Sequence, residues 1–273
     1  MRRPKYSGVS ARVRASPVVS YNVKLGDTFS FRVDVKYCDL TLPTAEENLA
    51  CDEALLELCD SGGTDGILRF WEPAQYFVVV GYGNRAATEV NLGFCQQFDI
   101  PVLRRCSGGG TVLQGRGCLN YSLVLRCDES EALQSIPGTN EFVLQRHQRA
   151  MTALLGATVE RRGQTDLAIG GLKFSGNSQR RRQKVLLFHG SFLLHLDIGL
   201  VEKALPLPTR RPDYRADRSH TDFLVNLKVP AHLIKAALLK TWGTQEALRQ
   251  IPYNQITRLV EEKYRRDEWN LKF

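Results

Sequence analysis

The segment RRCSGGGTVLQGRGCLNYSLVLR, residues 104–126, joins three successive glycines to a run of alternating apolar and polar side chains. In the second half of the segment, Leu119 and Tyr121 alternate with Asn120 and Ser122. A two-residue period of this kind is typical of a half-buried β-strand. The segment therefore predicts that a packed strand follows a tightly bent glycine loop.

The glycine loop, residues 108–110, is expected to have a defined conformation. Glycine weakens helices and strands, but it accepts positive φ angles and lets the backbone approach a ligand closely. With Arg104, Arg105 and Arg116 on either side, backbone N–H groups in the bend could form a concave site for a carboxylate or a phosphate. From the loop alone, a turn with a purely structural role is the alternative.

Local signals predict further elements around this segment. Thr44 and Glu47 are spaced as a capping box and open a helix over 44–59. Asn140 is predicted to cap a second helix that ends at Gly156. The remaining predictions are a hairpin over 165–176 with a two-residue glycine turn, strands at 31–38, 67–71, 76–82, 101–106 and 185–197, and a helix at 230–242.

The order of these elements predicts an α+β fold with a mixed or antiparallel sheet and packed helices. A doubly wound dinucleotide fold would instead alternate strands with helices, and neither a GxGxxG nor a GxxxxGK[ST] motif is present where such folds require it. The composition further predicts a basic, disordered extension at 1–30 and a folded domain at 31–273.

The composition indicates a globular protein with reduced thiols. The chain has 273 residues, of which 43% are hydrophobic, and its apolar runs are too short for a membrane span or a signal peptide. Its seven cysteines form no CxxC pair and have no zinc-like spacing. We therefore predict a cytoplasmic protein without membrane association, while the acid-free residues 1–26 permit a mitochondrial transit peptide as the alternative.

The formal charge of +8 at pH 7 indicates an acidic partner. Basic residues are concentrated in 1–26 and in RRRQK at 180–184. Such runs are usually solvated surface, and they lack the interleaved aromatic residues that stack on bases. Nucleic-acid binding is therefore a remote alternative, which salt-dependent binding to random oligonucleotides would test.

Three motifs follow one another along the chain: RRCSGGG at 104–110, DLAIGGLKFSGNSQ at 166–179 and HGS at 189–191. Together with NLACDEALL at 48–56, they resemble the lipoate–protein ligase branch of the biotin/lipoate protein ligase superfamily, over about residues 35–273. The resemblance implies the class II synthetase-like catalytic domain of that superfamily. It also implies that this chain has no C-terminal accessory domain of the kind that many members carry.

The resemblance implies an enzyme that activates lipoate or octanoate with ATP and Mg²⁺ to an acyl-adenylate and transfers the acyl group to a lysine of a lipoyl domain. Lys173 is the implied catalytic residue, since a cation between the substrate carboxylate and the α-phosphate would offset their repulsion. Asp166 is the implied magnesium ligand. The implied substrate- and ATP-binding residues are Arg105, Ser107, Gly108, Gly109, Gly110, Gln114, Ser175, Gly176, His189 and Gly190.

Three of these positions carry more detailed expectations. Gln114 stands where the family usually has a histidine, so its side chain can donate and accept hydrogen bonds but cannot titrate. His189 is expected to be a hydrogen-bonded strand residue whose segment shapes the adenylate pocket largely through its backbone. Residues 175–177 are expected to form a bend after the lysine strand.

The implied acceptors are acidic apo lipoyl domains, either those of 2-oxoacid dehydrogenases or the glycine cleavage H protein. A positively charged surface would steer such a domain, and more strongly at low salt. Because the accessory domain is expected to be missing, transfer to the acceptor is expected to need a separate accessory subunit.

Octanoyltransferases share the fold and provide the nearest alternative. They move the acyl group through a cysteine thioester without ATP, and in one branch that cysteine lies where this chain has Leu187 and Phe188. No cysteine follows Cys127, which favours the ligase. Cys106, beside Arg105, is the thiol with the electropositive setting that would suit a nucleophile. Biotin ligation is disfavoured because the adenylate loop of that branch is not recognisable.

Overall fold

The structure, a computed structural model, describes residues 34–128 and 130–273; the predicted extension at 1–30 and the start of the first predicted strand lie outside them. The strands β1–β10 are Val35–Asp39, Gly66–Trp71, Phe77–Val80, Val102–Arg104, Val112–Gln114, Cys118–Arg126, Glu160–Arg162, Asp166–Ile169, Leu172–Arg181 and Val185–Leu193. The helices α1–α9 are Ala45–Asp60, Ala86–Glu89, Leu92–Gln97, Ile136–Leu155, Ile198–Ala204, His220–Phe223, Ala231–Trp242, Tyr253–Leu259 and Asp267–Asn270. No helix in these ranges is both long and apolar enough to cross a lipid bilayer.

The strands form a large and a small sheet. The large sheet has the order β1-β2-β6-β10-β9-β8-β7, and the small sheet has the order β4-β3-β5. β1 pairs with β2 and β3 with β4 in parallel, and the other neighbours are antiparallel. The predicted α+β class with a mixed sheet is confirmed. β5 was not predicted, because its three residues are too few to show a period.

α1 forms as its sequence predicts. The Thr44 side chain accepts a hydrogen bond from the Glu47 N–H, and the Glu47 side chain accepts one from the Thr44 N–H. The apolar face of the helix belongs to one core cluster with Trp71 and Leu187 of the large sheet and Val79 of the small sheet. α1 therefore packs against both sheets.

α4 begins one turn earlier than predicted. Ser135, rather than Asn140, caps the helix by accepting a hydrogen bond from a first-turn N–H. Pro137 lies in this first turn, where a missing N–H costs no intrahelical bond. The Asn140 side chain instead accepts a hydrogen bond from Gln179 of β9. The predicted end is confirmed, since Gly156 adopts the left-handed conformation with a φ of 60°.

The β8–β9 hairpin has the predicted two-residue turn. Gly170 and Gly171 have φ angles of 56° and 75°, and positive φ at both central residues is the mark of a type I′ turn. The expected bend at 175–177 is wrong, because β9 continues through these residues to Arg181. The pairing with β8 is irregular one residue earlier, because Leu167 pairs with Ser175 and Ala168 with Lys173, so Phe174 is an extra residue in β9.

The register of the central strands decides which side chains face α1 and the small sheet. Residues directly opposite each other in neighbouring strands share a face of the sheet. Two adjacent rows of polar and aromatic residues therefore cross β2, β6 and β10 on one face: Arg69, Ser122 and His189, then Trp71, Asn120 and Ser191. The members of these rows that line the cavity described below are Trp71, Asn120, His189 and Ser191.

On the opposite face of the large sheet, His147 of α4 is buried against Tyr121 and Trp242. Its Nε2 accepts a hydrogen bond of 2.9 Å from the indole N–H of Trp242. Burial, and to a smaller degree the charge of Arg146, lowers the pKa of His147 to about 3. The folded protein therefore holds a neutral imidazole at this position.

We expect His147 to weaken the fold in acid. An unfolded chain protonates an imidazole near pH 6.5, so between about pH 6.5 and about pH 3 the unfolded state binds more protons and stability falls as the pH falls. At about pH 4 the loss should be on the order of 3 kcal/mol relative to neutral pH. His147→Gln keeps an acceptor for Trp242 and should flatten this dependence in urea titrations. Equal pH dependence in the two proteins would contradict a buried neutral imidazole.

Candidate active site

A cavity of about 1410 Å³ opens between α1, the two sheets, the β8–β9 hairpin and the segment 205–215. The predicted site residues that line it are Arg105, Gly109, Gly110, Gln114, Asp166, Lys173, Gly176, His189 and Gly190. They come from the glycine loop, β5, β8, β9 and β10. The fold therefore brings to one cavity most of the residues that the sequence motifs single out.

The glycine loop folds around the guanidinium group of Arg105. Its Nη2 donates to the carbonyl oxygens of Gly108 and Gly110 at 2.5 and 2.7 Å, and its Nε donates to Gly108 O and Ser107 Oγ, both at 3.1 Å. Its Nη1 donates to Val79 O at 3.3 Å. Burial lowers the pKa of Arg105 to about 10. In this structure, the hydrogen bonds that Arg105 donates hold the loop in its conformation.

Close backbone approach requires glycine at position 81, opposite the glycine loop, and a positive φ favours glycine at position 109 within the loop. At Gly81, a β-carbon would lie 2.1 Å from the carbonyl oxygen of Gly109, a distance that no side chain tolerates. Gly109 itself has a φ of 83°, a conformation that favours glycine. Asn84 donates to Gly109 O and Ser178 donates to Gly108 O, which fixes the loop from two sides. The prediction of a tightly bent loop with a defined conformation is confirmed.

Arg104 and Arg116 do not contribute to an anion site beside this loop, contrary to the prediction. The Arg104 guanidinium is fully buried and donates to the carbonyl oxygens of Gly81 and Lys272 at 2.8 and 2.7 Å. Arg116 donates to Ala74 O at 2.8 Å. Both arginines therefore satisfy backbone carbonyl groups, and Arg104 ties the C-terminal segment to the residue that follows β3.

Lys173 and Asp166 form an ion pair on the hairpin side of the cavity. Lys173 Nζ lies 2.8 Å from Asp166 Oδ1, and the Tyr214 hydroxyl donates to Asp166 Oδ2 at 2.8 Å. A β-carbon at Gly176 would lie 2.7 Å from the same Nζ, so the ammonium group rests directly over this glycine. The Lys173 side chain is 24% exposed. The arrangement offers an accessible cation to an anionic ligand.

Ser107 and His189 are joined by a hydrogen bond that the sequence did not predict. Ser107 Oγ lies 2.5 Å from His189 Nε2, and His189 Nδ1 lies 3.3 Å from Asp52 Oδ2. Ser107 has no solvent exposure, so in this conformation it cannot attack a substrate. The His189 residue lines the cavity, and its side chain anchors the glycine loop to β10. His189 is thus a hydrogen-bonded strand residue, as expected, and the role of its segment in shaping an adenylate pocket stays a prediction.

Asp52 is paired with Arg69, and both side chains are buried. Arg69 Nη1 donates to Asp52 Oδ1 at 2.6 Å. Burial raises the pKa of Asp52, but the charge of Arg69 and the contact with His189 outweigh burial and leave the pKa below its ordinary value. Sequence reasoning missed this pair. The available signal was an acidic residue inside the helix motif NLACDEALL and an arginine inside an otherwise apolar strand.

Ser107, Gly108 and Ser175 are the predicted site residues that do not line the cavity. The first two belong to the hydrogen-bonded loop described above. Ser175 pairs with Phe192, whereas its neighbour Gly176 pairs with the cavity-facing Ser191. Because successive strand residues point to opposite faces, Ser175 faces away from the cavity. The structure therefore does not place Ser175 in the cavity, contrary to the expectation for a binding residue.

All seven cysteines are free and buried, and none of the described residues that line the cavity is a cysteine. Cys106 belongs to the core cluster beneath α1. Burial, followed by the charge of Glu53, raises the pKa of its thiol to about 12. The expectation of an electropositive setting for a Cys106 nucleophile is therefore wrong.

We expect the native protein to resist iodoacetamide. The thiolate is the reactive form of cysteine, and burial both suppresses that form and blocks access. Mass spectrometry of the treated native protein should detect no carboxamidomethyl groups, whereas the denatured protein should take up seven. Labelling of Cys106 in the native protein with parallel loss of activity would contradict this arrangement.

A family model of the lipoyl protein ligase A/B catalytic domain matches residues 44–232. The chain belongs to this family. Every residue that lines the cavity falls within the matched range. The cavity is therefore part of the family's shared domain, and the resemblance inferred from the motifs is confirmed.

Curated relatives of this lipoyl ligase family protein include two kinds of enzyme. Lipoate–protein ligase 1 of Staphylococcus aureus is 26% identical over 243 residues, which cover 85% of this chain and 71% of the relative. Octanoyltransferase LipM of Brevibacillus brevis is 26% identical over 262 residues, which cover 82% of this chain and 94% of the relative. The chain is therefore an enzyme of the lipoate ligase and octanoyltransferase family.

Solved structures of lipoate–protein ligases share the fold. A bipartite lipoate protein ligase from Thermoplasma acidophilum, described with its E2 lipoyl domain, has a TM-score of 0.75 and 22% identity, and the match covers 88% of this chain and 97% of that one. A lipoate–protein ligase A bound with ATP has a TM-score of 0.72 and 24% identity, and the match covers 87% and 98% of the two chains. The predicted fold family is confirmed.

Proposed function

We propose that the protein is a lipoate–protein ligase that uses ATP to activate lipoate, or octanoate, as an acyl-adenylate and transfers the acyl group to a lysine of a lipoyl domain. The observation that carries the proposal is the accessible ammonium group of Lys173, which lies over Gly176 beside a cavity without any cysteine among its described lining residues. A lysine at this position suits charge stabilisation between two anions, whereas thioester chemistry needs a reactive thiol.

In the proposed reaction, the substrate carboxylate attacks the α-phosphate of ATP, and pyrophosphate leaves. Lys173 would lie between the attacking carboxylate and the α-phosphate and offset their repulsion. Forming these contacts would loosen its ion pair with Asp166, which the exposed side of the pair permits. The loop held by Arg105 would close the inner side of the same site through its backbone at Gly109 and Gly110.

The residues of the site could hold a magnesium ion only if substrate phosphates supplied most of its ligands. Among the described residues, no three His, Cys, Asp or Glu side chains are grouped as metal ligands. Magnesium is commonly held by one or two carboxylates and by nucleotide phosphates, and Asp166 is the carboxylate beside Lys173 that could serve. Because Lys173 and Tyr214 occupy both its oxygens, the ion would replace one of these contacts. When bound, it would neutralise charge on the pyrophosphate leaving group.

The proposed acceptors are acidic apo lipoyl domains of 2-oxoacid dehydrogenases or the glycine cleavage H protein. The chain's formal charge of +8 supports electrostatic steering of such a domain. The ligase from Thermoplasma acidophilum is described as bipartite, which supports testing transfer with a second subunit as well as with this chain alone. We propose the cytoplasm as the site of action. All seven cysteines are free, and cysteines stay reduced in the cytoplasm.

Octanoyl transfer without ATP is the rival activity, and one experiment separates the two. The protein is incubated with an apo lipoyl domain and either lipoate, ATP and Mg²⁺ or an octanoyl thioester donor without ATP, and the acceptor is weighed by mass spectrometry. The ligase should form acyl-adenylate and release pyrophosphate only with ATP. Acceptor modification from the thioester alone, without ATP, would overturn the proposal in favour of the transferase.

A further inference from the structure

Arg104, the last residue of β4, lies at the outer edge of the small sheet and directly precedes Arg105 and the glycine loop. β4 pairs with β3 on one side only, and the Arg105 N–H donates to Val80 O of β3 at 3.1 Å. Because successive backbone groups point to opposite sides of a strand, the N–H and C=O of Arg104 point away from β3. These two groups need partners from elsewhere in the chain.

Two side chains of α9 supply these partners. Asn270 Oδ1 accepts a hydrogen bond of 3.0 Å from the Arg104 N–H, and the indole N–H of Trp269 donates to Arg104 O at 2.8 Å. Asn270 is buried, and its Nδ2 donates to Tyr264 O at 2.9 Å, which fixes its amide group from the other end. Trp269 and Asn270 therefore take the place of a neighbouring strand where the chain enters the glycine loop.

The Arg104 side chain extends this connection to the segment that follows β3. Its Nη1 donates to Gly81 O at 2.8 Å and to Asn84 O at 2.7 Å, and its Nε donates to Trp269 O at 3.0 Å. Asn84 Nδ2 in turn donates to Gly109 O at 3.1 Å. α9 is thus connected to the glycine loop along two routes, one through the backbone of Arg104 and one through its side chain.

Trp269 and Asn270 are placed to affect the cavity only through this loop. Neither they nor Arg104 belong to the described residues that line the cavity, whereas Gly109 and Gly110 do. Both residues of α9 also lie outside the range 44–232 that matches the family model. Any effect of α9 on the reaction therefore has to pass through the position of the loop.

A loop with three successive glycines depends on anchors outside itself. Glycine has the widest range of backbone conformations and loses the most conformational freedom when it is ordered. Displacing a group by about 1 Å from its productive position can lower a rate about 100-fold. A small shift of the backbone at Arg104, where the loop begins, would therefore change the geometry of the site.

We propose that Trp269 and Asn270 are positioning residues, which hold the glycine loop in its reactive geometry through the backbone of Arg104. The proposal rests on the proposed function, because it takes the loop as the inner wall of the site for the carboxylate and the α-phosphate. It gives α9 a part in adenylate formation without any contact with the substrate.

The test uses two substitutions that each remove one hydrogen bond to Arg104. Trp269→Phe keeps an aromatic ring but removes the donor to Arg104 O, and Asn270→Leu removes the acceptor for the Arg104 N–H. In each variant, kcat/KM for ATP–pyrophosphate exchange should fall about tenfold, the order expected for one lost hydrogen bond. The KM for lipoate should rise at least about threefold. A smaller folded fraction would lower kcat and leave KM unchanged, so the rise in KM reports a change within the folded site.

Amide hydrogen exchange of the native state measures the order of the loop directly. The Tyr82 N–H donates to Ser107 O at 2.8 Å, and the Arg105 N–H is bonded to β3 as described above. Both amides should exchange about tenfold faster in the two variants, since local opening of the loop breaks these bonds. The amides of α1 should keep their native exchange rates.

Trp242→Phe is the matched control, because it removes an indole donor on the opposite face of the large sheet. It should lower stability but change neither the KM for lipoate nor the exchange of the Tyr82 and Arg105 amides. Native KM and native amide exchange in a folded Trp269→Phe or Asn270→Leu variant would overturn the positioning role and leave the ligase standing. Urea unfolding identifies a variant that fails to fold, and the other variant then decides.

Failure of the proposed function gives a different result. If the native protein shows no pyrophosphate exchange with lipoate or octanoate, the ligase assignment fails, and with it the part of α9 in adenylate formation. The amide exchange rates of the two variants then decide whether α9 holds the loop in place.

Discussion

Replacement of Lys173 by alanine is expected to reduce acyl-adenylate formation at least about 100-fold while the protein stays folded. Removing a preorganised group that stabilises transition-state charge commonly costs 10²–10³ in rate. The cost in stability should be about 1 kcal/mol or less, because the Lys173–Asp166 pair is partly exposed and Asp166 keeps its hydrogen bond from Tyr214. ATP–pyrophosphate exchange in the presence of lipoate measures the first effect, and urea unfolding measures the second.

Two controls make this result specific. Lys184→Ala removes an exposed lysine from the turn between β9 and β10 and should change neither measurement. Lys173→Arg keeps the positive charge but changes its geometry, since a planar guanidinium does not replace a compact ammonium group; it should recover only part of the lost rate. Exchange by Lys173→Ala within about threefold of the native rate would contradict the role of Lys173 in charge stabilisation.

Elements with short-range signals could be predicted from the sequence. The capping box at Thr44 and Glu47 and the two glycines of the β8–β9 turn each act over a few residues, and each forms as predicted. The two-residue period also located the strand β6, but the expected half burial is wrong, because the polar face of β6 is covered by protein as well. The start of α4 was misplaced because Ser135 and Asn140 are both good capping residues, and only the packing of Asn140 against β9 excludes it. Local sequence propensity cannot predict this contact between Asn140 of α4 and Gln179 of β9.

The cavity could be predicted as a set of motifs, but its internal contacts could not. Arg105 was expected to offer its charge to an anion, yet the loop carbonyl groups take up its donors, a choice that depends on the backbone path of the glycine loop. The link from Ser107 to His189 joins residues 82 positions apart, and it exists because the small sheet packs over β10. Ser175 lies outside the cavity lining, because β9 continues through the expected bend and the side chain points to the other face of the sheet.

Arg69→Met is expected to have the largest effect on stability, about 3–5 kcal/mol, since it leaves a carboxylate buried without its partner. The Arg69 side chain is fully buried; besides Asp52 Oδ1, it donates to Asn48 Oδ1 at 2.6 Å and to Leu40 O at 3.0 and 3.1 Å. Without Arg69, burial would raise the pKa of Asp52 above its unfolded-state value of about 3.9. The folded state would then bind more protons, so the deficit should shrink as the pH falls towards about 5.

The double variant Arg69→Met/Asp52→Asn distinguishes a buried charge from lost packing. Methionine fills much of the arginine volume, and asparagine removes the stranded charge, so the double variant should be more stable than Arg69→Met alone by about 1–2 kcal/mol at neutral pH. It should also lose the acid recovery of the single variant, because asparagine does not titrate. Urea unfolding of Arg69→Met, Asp52→Asn and the double variant at two pH values measures both effects. If the losses in unfolding free energy of the two single variants add up to that of the double variant, Arg69 stabilises the fold through its carbonyl contacts. In that case α1, rather than the ion pair with Arg69, holds Asp52 in place beside His189.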